Sequence, residues 1–155
     1  MTAKQRSALP RWSATNATRR RYDRVAPVYD LMEGLMGLWF LHRWRSRLWS
    51  RVSGGRVLEV GVGTGKNMPY YPASATVTAV DLSIAMLERA SRRARTLKAS
   101  VTLAQMTAEA LAFPDSVFDY VVATFVFCSV SDPVAGLREV VRVCKPQGTI
   151  LLLEH

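Results

Sequence analysis

The segment Val57-Leu-Glu-Val-Gly61-Val-Gly63-Thr-Gly65-Lys-Asn67, followed by Asp81 twenty residues after its first glycine, constrains this chain more than any other feature. An apolar, β-branched strand that runs into closely spaced glycines brings bare backbone up to a ligand, with no Cβ in the way. An acid at the end of the next strand is placed to grip vicinal hydroxyls of a nucleotide-like ligand. Spacing then narrows the choice. Dinucleotide sites use glycines at the first, third and sixth positions, and the sixth position here is Lys66. A Walker-type phosphate loop needs Ser or Thr after its lysine, and Asn67 stands there. The alternation Gly61, Gly63, Gly65 fits neither pattern.

After Ser53-Gly54-Gly55, strand-like and helix-like periods alternate, the order expected of a parallel sheet with helices on its faces. Strands are expected near residues 56–60, 76–80, 100–105, 117–124 and 149–154. Ser83 is placed to cap a helix whose shared apolar face is Ile84, Leu87, Ala94 and Leu97. Asp132-Pro133 should open another, carrying Val134, Leu137, Val140 and Val141, and Lys145-Pro146-Gln147-Gly148 should stop it. Cys128 and Cys144 fall in apolar patterns without metal-ligand spacing and read as buried thiols, while His42 and His155 are too scattered for a histidine-based metal site.

At 155 residues with 49% hydrophobic and 21% charged composition, the chain has enough apolar material for a real core. Its charge is unevenly placed. Residues 1–51 hold eleven Lys/Arg against three acids, a net +8, whereas residues 52–155 hold ten against nine, a net +1. All four tryptophans, Trp12, Trp39, Trp44 and Trp49, lie in the basic part. The division is therefore residues 1–51, a basic tail with lid and amphipathic helices, and residues 52–155, a ligand-binding α/β domain. Residues 31–51 combine a wide apolar face with Arg43, Arg45, Arg47 and Arg51, a composition suited to an anionic lipid surface. No uncharged apolar run reaches membrane-spanning length and no signal-peptide core opens the chain, so the expected location is cytoplasmic, peripheral to the inner face of the membrane.

The glycine pattern preceded by Glu59, together with Asp81, Phe113-Pro-Asp-Ser-Val-Phe118-Asp119 and Leu137-Arg-Glu-Val-Val-Arg-Val-Cys-Lys-Pro146, resembles class I S-adenosylmethionine-dependent methyltransferases. Within them the chain is similar to the branch of bacterial phosphatidylethanolamine N-methyltransferases, quinone C-methyltransferases and membrane thiol methyltransferases. The resemblance implies a Rossmann-like doubly wound sheet, C-terminally short at about five strands, and S-adenosylmethionine as cofactor with S-adenosylhomocysteine as product. It implies that Gly61, Gly63 and Gly65 pass the amino-acid end of the cofactor, with Glu59 and Asn67 belonging to that loop. Asp81 would accept both ribose hydroxyls, and Leu82 and Met86 would touch adenine. Competing readings are a helix-capping carboxylate for Asp81 and a plain core residue for Met86. Thr107-Ala108-Glu109 aligns with the relatives' Asp-Ala-Glu, so adenine recognition is expected to lean on the Ala108 backbone. Thr124 and Phe125 open the stretch, through Phe127 and Cys128, where relatives hold the methionine part and begin the acceptor pocket.

Tyr22 and Tyr29 occupy a Tyr-Asp-x-x-Ala-x-x-Tyr-Asp pattern that resembles the lid helix of these enzymes. An aromatic ring beside a sulfonium gains cation–π attraction, and the Tyr29 hydroxyl could orient an amine. His155, at the tip of the last strand, reads either as general base or as a surface histidine. The preferred function is N-methylation of an ethanolamine phospholipid head group at the membrane. The alternatives are a soluble methyltransferase of a small thiol, amine or quinone precursor, and a cofactor-binding module without activity. Nucleic-acid methylation is set aside because the core is nearly neutral. An uncovered strand at 149–153 would also allow a homodimer through that edge.

Overall fold

The computed structural model describes residues 38–154. In chain order these form helix α1 (Leu38–Trp49), strand β1 (Gly55–Val60), a single 3-10 turn (Met68–Tyr70), β2 (Ala75–Asp81), α2 (Ile84–Leu97), β3 (Val101–Gln105), β4 (Phe118–Thr124), α3 (Pro133–Val143) and β5 (Cys144–Leu153). The strands make one parallel sheet in the order β3-β2-β1-β4-β5, the Rossmann-like arrangement expected of the pattern. Strand order reverses between β1 and β4, which opens a crevice at the carboxyl ends of those strands.

β1 is central and covered on both faces, and its alternation decides what each face sees. Leu58 and Val60 join Val121, Ala123, Val140 and Val143 on the α3 side. Val57 joins Val77, Val122, Leu151, Trp49 and Val52 on the α1 side. Glu59 shares the Val57 side by the same period of two, so its carboxyl is enclosed. The two signature segments beyond residue 110 meet through Arg142, which donates to the Phe113 and Leu111 carbonyls at 2.8 Å and to Asp115 at 2.7 Å. This clamp ties the β3–β4 connection to α3.

Ser83 caps α2, its Oγ accepting from the Met86 amide at 3.2 Å, and Asp132 caps α3 by accepting from Ala135 N at 2.9 Å. The buried stripes differ from the expected ones. In α2 the buried residues are Met86 and Ala90, with Leu87 and Ala94 beside them, while Ile84 and Leu97 are exposed. In α3 Gly136, Val140 and Val143 are buried, and Val134, Leu137 and Val141 face outward. Each expected face is wider than the strip that meets the sheet, so its outer residues stay in solvent. β5 starts at Cys144, well before the expected residue 149, because Cys144 already pairs with Phe118 before an irregularity restores register at Tyr120 and Thr149. Cys144 is buried as expected, but Cys128 is exposed, since it lies in the turn after β4 and outside the strand.

Where residues 31–51 are described, α1 packs one side of the helix onto the protein. Trp49 is 1% exposed and packs on Tyr71 with ring centroids 4.6 Å apart, and Arg45 is 8% exposed. The apolar sheet face of Val57, Val77 and Val122 has to be covered, and this helix covers it. Arg43, Trp44 and Arg47 remain outward. No described helix is long and apolar enough to cross a membrane.

Candidate functional site

The crevice at the carboxyl ends of β1, β2 and β4 gathers most of the residues singled out in the sequence. Gly61, Gly63, Asp81, Leu82, Met86, Thr107, Ala108, Glu109, Thr124 and Phe125 line it. Glu59, Gly65 and Asn67 do not. They are buried behind its wall, which suits the loop-ordering role expected of Glu59 and places Gly65 and Asn67 beside it as supports. Tyr22, Tyr29 and His155 lie outside the described residues. Arg45, Lys66, Ser83, Met106 and Ser129 also line the crevice and had not been singled out for it.

The glycine loop leaves β1 with Gly61 and Val62 amides both donating to Val80 O, at 2.8 and 3.0 Å. Gly61 has φ +69°, and a Cβ there would come within 2.4 Å of Val126 Cγ2. Gly63 has φ +54°, and a Cβ there would meet open space, so its backbone is presented bare. Asp81 fastens this loop. Its Oδ2 accepts from the Gly63 amide at 2.8 Å and its Oδ1 from the Ser83 amide at 2.9 Å. The helix-capping alternative is thus partly present, although Ser83 is the cap itself. Met86 is both a core residue, 2% exposed, and a crevice wall.

Behind the loop runs a buried polar network. Asn67 Nδ2 donates to Glu59 Oε1 at 2.6 Å and to Thr124 Oγ1 at 2.8 Å, while Arg45 Nη1 donates to Asn67 Oδ1 at 2.8 Å and to Thr124 Oγ1 at 3.2 Å. The Tyr71 hydroxyl donates to Glu59 Oε2. Enclosure dominates these bonds, and burial pushes the Glu59 carboxyl up from 4.5 to about 7. The Tyr71 hydroxyl is likewise raised, by burial first and then by the Glu59 charge.

A stability consequence follows with a definite sign. Below 4.5 both folded and unfolded chains hold the Glu59 proton, and between 4.5 and about 7 only the folded chain keeps it. Folding stability should therefore fall as pH rises through that window, by an amount on the order of 3 kcal/mol. Glu59→Gln, which keeps the size and cannot ionise, should flatten the slope of the unfolding free energy between these pH values. An unchanged slope in the variant would assign the dependence to other groups.

Thr107 Oγ1 and Glu109 Oε2 bond at 3.2 Å, and Glu109 Oε1 accepts from the Asp132 amide at 2.7 Å. Glu109 thus holds the entry to α3 as well as bordering the crevice. Phe125 takes φ +57°, a left-handed backbone that costs on the order of 1–3 kcal/mol in a non-glycine residue. Its amide is tied to Leu153 O at 2.8 Å, and Glu154 Oε1 accepts the next two amides, of Val126 and Phe127, at 3.0 and 3.2 Å. These bonds hold the turn after β4 open over the crevice. Glu154 was legible only as a strand end.

Residues 58–152 match the family described as Methyltransferase domain. The chain belongs to the S-adenosylmethionine-dependent methyltransferases. Among relatives it is 39% identical to a phosphatidylethanolamine N-methyltransferase of Cereibacter sphaeroides, over 90% of this chain and 68% of that protein. It is 35% identical to a demethylmenaquinone methyltransferase of Renibacterium salmoninarum, over 86% of this chain and 56% of that one. Among solved structures, a methyltransferase of Thermotoga maritima described as a possible histamine N-methyltransferase shares 28% identity at a TM-score of 0.66, covering 86% of this chain and 59% of that one. The cyclase SpnF aligns at a TM-score of 0.80 with 25% identity, over 89% of this chain and 59% of its own, so this fold alone does not specify the reaction. The chain thus spans between about half and two thirds of the length of the relatives it matches.

The family's cofactor is S-adenosylmethionine, and the donor set fits it. Asp81 ends β2 on the crevice wall, and a carboxylate accepts several hydrogen bonds, the chemistry that a ribose diol needs. Leu82, Met86, Met106 and Val130 supply an apolar slot for a flat base. The bare Gly63 backbone and the cations Arg45 and Lys66 suit a charged amino-acid end.

Proposed function

We propose that this protein methylates the amine of phosphatidylethanolamine head groups at a membrane surface. The identity to the Cereibacter sphaeroides enzyme, over nine tenths of the chain, carries this reading. The outward Arg43, Trp44 and Arg47 of α1 support it, since interfacial binding combines aromatic anchors with attraction to anionic lipid. On this reading the protein acts at the cytoplasmic face of the membrane, with the outward side of α1 toward lipid.

When bound, the cofactor supplies a methyl group already attached to its leaving group, so the chain's task is alignment. Asp81 fixes the ribose, and the Gly61–Gly63 backbone and the crevice wall at Thr124 and Phe125 fix the methionine part. Ala108 and Thr107 border the base. Tyr22 is assigned to the lid, Tyr29 to orienting the amine and His155 to accepting its proton.

A second reading is methylation of a small quinone, thiol or amine by the same crevice without a membrane. The docking of Trp49 and Arg45 onto protein favours it, as does the identity to the quinone-pathway relative. Both readings are separated by supplying methyl-labelled cofactor with vesicles of phosphatidylethanolamine and an anionic lipid, or with demethylmenaquinone. Labelled mono- and dimethyl phospholipid is the expected product, rising with anionic lipid content. Label in the quinone and none in lipid would select the second reading, and cofactor binding with no transfer would leave a binding module.

A further inference from the structure

We propose that Arg45, on α1, binds the carboxylate at the amino-acid end of the cofactor, an inference that rests on the cofactor reading above. Arg45 is 8% exposed yet lines the crevice. Burying a guanidinium is costly, and a chain retains one where its charge and forked donors have a use. Its contacts with described residues set its position. Nη1 donates to Asn67 Oδ1 at 2.8 Å and Thr124 Oγ1 at 3.2 Å, and the guanidinium carbon stands 5.5 Å from the centroid of the Phe125 ring.

These contacts place the cation at the correct end of the site. Asn67 closes the glycine loop after β1 and Thr124 ends β4, whereas Asp81 ends β2 on the other side of β1. Two strand spacings separate β2 from β4, roughly 10 Å. A run of bonds of comparable reach separates the ribose diol of the cofactor from its carboxylate. With the diol on Asp81, the amino-acid end is directed across the loop toward Arg45. Lys66 also borders the crevice, but it is half-buried on the loop and offers a point charge in place of a planar fork. Arg45 lies on the helix read from the sequence as lipid-facing, and the structure turns this one arginine inward.

Calorimetric titration of the full chain with two ligands tests the assignment: S-adenosylhomocysteine, which carries the carboxylate, and 5′-methylthioadenosine, which lacks the amino-acid end. R45Q should weaken S-adenosylhomocysteine by about 10- to 100-fold and leave 5′-methylthioadenosine within about twofold of wild type. R45K, which keeps charge without the fork, should fall between. Binding of 5′-methylthioadenosine by R45Q also verifies that the variant is folded. Equal losses for both ligands would make Arg45 a purely structural support, and an unchanged S-adenosylhomocysteine affinity would remove it from the site; either overturns the proposal. Failure of wild type to bind S-adenosylhomocysteine would instead overturn the underlying cofactor reading.

Discussion

Asp81→Ala is expected to lower the affinity for S-adenosylhomocysteine by about 100-fold or more, because two charge-assisted hydrogen bonds to the ribose are lost together. The loss should exceed that count. Asp81 also receives the Gly63 amide at 2.8 Å, so its removal releases the loop that presents bare backbone to the ligand. Asp81→Asn separates the contributions, since the amide keeps the volume and one acceptor but turns a donor toward one of the two backbone amides that the carboxylate now receives. It should bind more weakly than wild type and more tightly than the alanine variant. If Asp81→Ala binds S-adenosylhomocysteine as wild type does, the carboxylate is only a tie between β1, β2 and α2, and the ribose assignment fails. Thermal unfolding of each variant distinguishes loss of the site from loss of the fold.

Trp49→Ala is expected to destabilise the chain by about 3–5 kcal/mol, the range for truncating a large aromatic in a packed interior. Trp49 is 1% exposed and closes the cluster of Val52, Val57, Val77, Val122 and Leu151. At about 2–4 °C per kcal/mol for a domain of this size, the midpoint of thermal unfolding should drop by roughly 10 °C. Trp49→Phe should cost much less. Among the described residues the buried Trp49 indole Nε1 has no hydrogen-bond partner, and replacing it removes that donor while most of the ring remains. The pair of variants bears on membrane binding as well. If Trp49→Ala were thermally silent and reduced only vesicle association, α1 would be an interfacial helix and not part of the core.

Arg43, Trp44 and Arg47 are exposed on α1 and share that helix with Arg45, which reaches the crevice.

The sheet, the glycine turn, the acid after β2 and both helix caps were legible in the chain itself. Each depends on a short window: a period of two, a glycine where φ must be positive, or a Ser or Asp three residues before the amide it receives. Membership of the family rested on the same local patterns. The placements that needed the fold were those set by what lies opposite. Arg45 is chemically the same as its neighbours Arg43 and Arg47, and it is contacts distant in sequence, Asn67 and Thr124 among them, that hold it at the crevice. Glu59 is an ordinary acid in a strand until the fold buries it completely, which raises its pKa to about 7 against the opposing hydrogen bonds from Tyr71 and Asn67. Likewise Val140 and Val141 are adjacent and equally apolar, yet one is fully buried and the other 63% exposed. Sequence alone determined which elements form and where a ligand can approach them, because those signals are carried by neighbours along the chain. Tertiary structure decided which cation, acid and apolar face serve the site, because burial and pairing are made by residues distant in sequence.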